Sequence, residues 1–346
     1  MNWACLRNIS TPNELNKKLE RQLIYDPSTN SQNICGSAVD DETYEILSRY
    51  EDLTFLDLSE TNQDNVKKIN DRLRHISSLE KLEDLKIDGV QITNIELTHI
   101  ASLPNLKYLW LNNTNITDDG LKHLATNTNL ECLNINSTKI DGEGLKYLYQ
   151  LKKLNWVGMG ETRVTDDKLK YLSHIEKWTG FDLSHTAVTD AGIKHLQSSC
   201  NMDILHLKNT KITDEGLSHI LKYAVNINDL DISHTNTTCA WLKNVDILEI
   251  LQILDISNTI IDVDNLEYLY KLPNLCNLNI GNTNITDDGI KRIPKLKINA
   301  ICLDNTQITN ACLEYLKTLD LYYLSLLNTG ITKDDIEHIQ HIDIHV

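Results

Sequence analysis

The chain predicts an α/β solenoid: a curved array with parallel strands on its concave face and helices on its convex face. Three observations predict it. A multi-position pattern recurs twelve times, mostly at a spacing of 24 residues, and a fixed period of that length marks stacked supersecondary repeats. Within each copy, apolar residues first alternate and then change to the spacing of a helix face, so each copy holds one strand and one helix. At 346 residues the chain also exceeds an ordinary single core, which favours an extended array or two domains over one globule.

The clearest copy is residues 105–124, NLKYLWLNNTNITDDGLKHL. Leu109 and Leu111 alternate with Tyr108, Trp110 and Asn112, giving a short strand with one buried face. Thr114 and Ile116 follow, then Thr117 and Asp118 at a helix start, and Leu121 with Leu124 on the helix stripe. The general form is L-x-x-L-x-L-x-x-T-x-I-T-D-x-G-L-x-x-L. Its threonine position recurs at Thr61, Val90, Thr114, Thr138, Thr162, Thr186, Thr210, Thr235, Thr259, Thr283, Thr306 and Thr329. A turn after each strand leaves backbone groups without ladder partners, so a buried hydroxyl is expected to join neighbouring turns. Val90 lacks that hydroxyl, and its turn is expected to differ. Either Thr or Asp can cap the helix, and Gly120 with its equivalents is expected to allow close helix–strand approach.

The ends depart from the pattern. Residues 1–50 read as an N-terminal cap. Ser10, Thr11 and Pro12 start a helix, Leu15, Leu19 and Leu23 form its apolar stripe, and residues 26–30 form a loop. A degenerate first copy follows, with Ser37 in the threonine place, Val39 for Ile and Leu47 on the helix stripe. Residues 51–346 hold about twelve repeats. Ile339, Ile342 and Ile344 begin a last strand, where His341, Asp343 and His345 can blunt an open edge.

Bulk chemistry narrows the function. With 33 basic and 49 acidic residues, the net charge is −16. That disfavours nucleic acid and anionic membrane as partners, because their phosphates are repelled. No apolar signal-peptide core and no spanning helix are present. The 8 cysteines form no C-x-x-C pair and read as reduced thiols in a cytosol-like compartment.

The repeat resembles those of leucine-rich repeat proteins over about residues 34–346. The I-T-D-x-G-L segment stands intact at 116–121, 212–217 and, with Ile for Leu, 285–290. It is similar to the cysteine-containing subclass, with Thr in the usual Cys or Asn place. Such repeats occur in F-box substrate adaptors and in bacterial proteins, including effectors delivered into host cells. The resemblance implies a non-catalytic protein-binding module, either a bacterial effector or an intracellular adaptor. Its place would be the cytoplasm, or a host cell reached without an N-terminal signal. An F-box adaptor needs a helical domain before the repeats, and residues 12–24 are too short for one.

Candidate binding residues lie on the outward strand positions, six, four and two places before each threonine. Tyr108, Trp110 and Trp156 gather within three repeats beside Gly158, Gly160 and Gly180, an arrangement expected to form a shaped apolar depression. Exposed aromatics of this kind dominate binding hot spots; the alternative is ordinary surface aromatics lying flat on their neighbours. Trp178 falls on an inward position and is expected in the core. Asp182, Asp229, Asp231 and Asp255, with Asp203, surround His206 and Lys208. This tract fits a basic segment of a protein partner; the alternative is a solvated acidic surface.

Asp182, His206 and Asp231 could be an acid–base or metal set, but no nucleophile with oxyanion donors accompanies them. A helix-face column containing His99, His123, His195, His219 and His338 alternates with Tyr, which points to packing at the helix edge rather than zinc. Trp241 stands where Gly usually does, so its helix is expected to be displaced or repacked. No catalytic residue, metal site or cofactor is expected. Competing readings are a structural, oligomerising or toxin-neutralising protein, or an enzyme using the concave face.

Overall fold

In the computed structural model, the described residues are 24–26, 31–33, 52–59, 73–175, 177–196, 202–294, 296–337 and 342–346. The chain divides into two compact units, Met1–Val164 and Thr165–Val346.

The first unit contains β1 (Ile24–Asp26), β2 (Ser31–Asn33), β3 (Phe55–Asp57), β4 (Asp84–Lys86), β5 (Tyr108–Trp110), β6 (Cys132–Asn134) and β7 (Trp156–Gly158). From β2 onward each strand pairs in parallel with the next. The second unit contains β8 (Gly180–Asp182), β9 (Ile204–His206), β10 (Asp229–Asp231), β11 (Ile253–Asp255), β12 (Asn277–Asn279), β13 (Ala300–Cys302), β14 (Tyr323–Ser325) and β15 (Asp343–His345). These also pair in parallel in chain order. Short α- or 3-10 helices connect most successive strands. This is an α/β solenoid architecture, as the period predicts.

The expected capping helix and the degenerate copy at Ile34, Ser37, Val39 and Leu47 lie outside the described residues, as do residue 50, Thr61 and His341. What is described there adds a strand that periodicity missed. β1 pairs antiparallel with β2, so Ile24–Asp26 extends the sheet, and Asp26, expected to open a loop, is the last residue of that strand. β2 lies six to four residues before Ser37, where the period places it.

The inward template is fully buried. Leu106, Leu109, Leu111, Ile116, Leu121 and Leu124 are all 0% exposed. Burial of each such side chain contributes roughly 1.5–3 kcal/mol. Trp178 is likewise core, with its ring 4.2 Å from Phe181. Trp241 is also fully buried, on a helix of four residues, Trp241–Asn244. The large ring is therefore accommodated inside its repeat rather than standing outward.

The threonine column works differently from expectation. Each hydroxyl donates to the carbonyl three residues back in its own strand end: Thr114 to Leu111 at 2.8 Å, Thr138 to Ile135 at 2.7 Å and Thr210 to Leu207 at 2.6 Å. It closes its own turn and does not join neighbouring ones, because the i−3 carbonyl is the nearest unpaired acceptor. At Val90 the turn keeps its backbone form. Gly89 has φ 75°, matching Asn113 at 53° and Asn209 at 52° in the same place. The left-handed residue before the threonine is thus the common device, and Asn and Gly suit it.

Neighbouring repeats are joined instead by the aspartate of the T-D pair. Asp118 accepts from the backbone N–H groups of Asp141 at 2.8 Å, Gly142 at 3.0 Å and Gly144 at 2.5 Å, all in the next copy. Asp190 accepts from both the backbone and hydroxyl of Thr213, and Asp287 does the same at Thr309. In two of the pairs the threonine also caps its own helix, Thr189 accepting from the Ala191 amide and Thr213 from that of Glu215, whereas Thr117, Thr165 and Thr286 make no such bond. The glycine serves this stacking too. A Cβ on Gly144 would lie 2.6 Å from the Asp118 carbonyl oxygen. The close approach is therefore between successive helix starts, not between helix and strand.

Candidate functional site

On the strand face of the first unit, register sets the neighbours. Asp84, Tyr108, Cys132 and Trp156 are successive Cα partners, and so are Asp57, Lys86, Trp110, Asn134 and Gly158. Strand alternation turns both rows outward while Leu85, Leu109, Leu133 and Val157 face the core. Tyr108 is 38% exposed, and its hydroxyl donates to Glu131 Oε2 at 3.5 Å. Trp110 and Trp156 are half-buried, with ring centroids 6.0 Å apart and planes tilted by 42°.

These aromatics are held by their own surroundings. Trp110 Nε1 donates to Asp84 Oδ1 at 3.0 Å. Lys86 Nζ lies 5.2 Å from the centroid of Trp110 and 5.5 Å from that of Phe55, within cation–π range. Burial pushes the Asp84 carboxyl above its usual range, against the pull of Lys86 and the indole bond. A Cβ on Gly158 would lie 2.8 Å from Trp156 Cη2 and 2.5 Å from Asn134 Oδ1. The space left by the missing side chain is therefore filled by Trp156 and Asn134, rather than standing as an open depression. Cys132, between Tyr108 and Trp156, is buried, and burial with the nearby Asp84 pushes its thiol up to about 12. A thiol held protonated is a poor nucleophile.

In the second unit, Asp182, His206, Asp231 and Asp255 are successive Cα partners. Asp229 lies one row over, between Ile204 and Ile253. His206 Nε2 is 3.4 Å from Asp229 Oδ2. Burial opposes the charge on His206, but Asp229, Asp182 and Asp231 together raise its pKa above 6.5.

Three of the acids also have a local task. Asp182 accepts from the Ser184 amide at 3.0 Å, Asp231 from Ser233 at 2.9 Å and Asp255 from Ser257 at 2.9 Å. Each ties down the end of its own strand with one oxygen, as an Asx turn does. Asn134 and Asn279 do the same in other repeats. The D-x-S-x-T spacing at these positions was a readable signal of that role. Asp84, Lys86 and Phe55 were likewise findable, since the column alignment sets them within two rungs of Trp110. Asp203 is exposed and Lys208 partly so.

Among the described residues, no group of three or more His, Cys, Asp or Glu could hold a metal ion. None of the described helices is long and apolar enough to cross a membrane.

Among solved structures, the chain is similar to an internalin from Listeria monocytogenes at 21% identity and TM-score 0.62, covering 96% of this chain and 92% of that one. It is also similar to a leucine-rich repeat protein from Leptospira interrogans at 17% identity and TM-score 0.50, covering 91% and 89%. Likenesses at these identities concern the fold. A comparison with curated proteins gives no match. The family model described as leucine-rich repeat region matches residues 30–301; with most of its length inside that match, the chain belongs to the leucine-rich repeat family.

Proposed function

We propose that the chain is a non-catalytic recognition module that holds a protein partner on its strand face. Tyr108, Trp110 and Trp156 are its anchors in the first unit. In the second, the acidic tract of Asp182, Asp229, Asp231 and Asp255 around His206 orients a basic segment of a partner. The carrying observation is that the three aromatics occupy outward positions outside the repeating template, with the two indoles in contact at 6.0 Å. The buried Leu and Val rows build the sheet without them, whereas pre-positioned aromatics on a rigid support lose little freedom on binding. The excess of acidic residues supports a protein rather than a nucleic acid or an anionic membrane as partner.

The repeat's likeness to the cysteine-containing subclass supports a narrower reading: a bacterial effector or an intracellular adaptor, acting in the cytoplasm or in a host cell. Affinity capture from candidate cell lysates tests the module. The double substitution Trp110→Ala and Trp156→Ala should weaken the captured partner by more than about 30-fold, the cost of losing one strong hot spot or more, with an unchanged circular dichroism spectrum. Capture that is equal for both proteins overturns the assignment of the anchors.

A further inference from the structure

On the second unit's strand face, a cation already sits among the acids. His206 is Cα-paired with Asp182 on β8 and with Asp231 on β10, and its Nε2 reaches Asp229 Oδ2. The charged groups flanking it are therefore Asp182 from one side, Asp229 and Asp231 from the other, and Lys208 two residues on along its own strand. Asp182 and Asp231 each have one oxygen engaged with their own strand end. Asp229 instead meets His206. Its flanking Ile204 and Ile253 are partly exposed, so a basic side chain reaching Asp229 would lay its stem on apolar surface. Ser233, two residues beyond Asp231, is 1% exposed with a hydroxyl that lacks a hydrogen-bond partner.

We propose that His206 is a built-in competitor for the partner's basic side chain at Asp229. Protonated, it holds that carboxylate; deprotonated, it no longer competes at Asp229 for a lysine or arginine. Docking of a basic segment thus tightens as pH rises through the His206 pKa and weakens as pH falls. The raised pKa of His206 places this transition above the ordinary histidine value. The idea rests on the reading that this face docks a basic segment.

The test uses a fluorescein-labelled oligolysine peptide and the full chain at about pH 5.5 and about pH 8, where lysine stays charged while histidine titrates. Wild type should bind about two- to fivefold more tightly at the higher pH, the range of one part-exposed charge pair. His206→Gln should bind tightly at both pH values and His206→Lys weakly at both. By linkage, saturating oligolysine should lower the His206 pKa read by NMR on the unmodified chain. The titration itself uses only the unmodified chain, and one spectrum of His206→Gln serves to assign the resonance. Binding by wild type without pH dependence, pH dependence retained in His206→Gln, or an unmoved His206 pKa overturns the competition while leaving the docking reading intact. No binding at either pH overturns both.

Discussion

The strand face around Trp110 and the strand face around Asp229 are built on one template and differ in what their outward side chains do. Around Trp110 the side chains satisfy one another: the indole is bonded to Asp84, stacked near Lys86 and in contact with Trp156. Around Asp229 each column aspartate uses one oxygen on its own strand end. Asp229 there meets the cation His206, with Lys208 nearby. The first surface is assembled around its aromatics; the second is dominated by carboxylates. A solenoid permits this divergence because each repeat leans only on its neighbours through its inward residues. The outward rows can then change chemistry without disturbing the core.

The comparison would break most visibly if the two templates were unequal. Leu109→Ala in the first unit and Leu205→Ala in the second remove equivalent residues, exposed 0% each. Each should cost about 2–5 kcal/mol in chemical denaturation. A cost near zero at either position would mean that its repeat is not held by the shared core. A smaller effect separates the two roles of the aspartate column. Asp231→Ala should lose about 1 kcal/mol, the worth of one hydrogen bond to the strand end. Asp231→Asn should be nearly neutral in stability, since Asn134 and Asn279 already make that bond, yet it should still weaken oligolysine binding. Equal destabilisation by both changes would show that the charge, not the turn, is structural.

Most of the fold was legible because its cause is periodic. Leucines at strand and helix spacing, a fixed interval and Trp178 on an inward position all follow from one pattern, and the structure places each where the pattern does. What escaped was set by directions that spacing alone does not carry. The threonine hydroxyl turns back to its own strand because the nearest free carbonyl is there. The contact between repeats falls to Asp118 and its equivalents, which reach across the helix starts. That second rule left a trace, since Asp190 and Asp287 are each followed one repeat later by the threonine they bind. The frequent Asn or His before the threonine was likewise a visible signal of a left-handed turn residue, although Ser137 and Glu161 take the same conformation without it.

The binding surfaces were legible only as deviations from the template. Tyr108, Trp110 and Trp156 stood out because nothing in the repeat requires them. That Trp156 folds over Gly158, and that Asp84 and Lys86 flank Trp110, depended on side-chain directions that no column of letters supplies. Trp241 deviates just as strongly and is buried, so deviation marks a surface only where the position faces outward.

The central claim is that a partner sits on the strand face. A photo-crosslinking residue, p-benzoylphenylalanine, placed at Tyr108 tests it directly against the same residue at Tyr149, which is 53% exposed on the 3-10 helix Glu143–Gln150. With captured partner present, illumination should join it to the chain at position 108 and not at 149. Adducts from 149 with none from 108 would put the partner on the helix side and contradict the account.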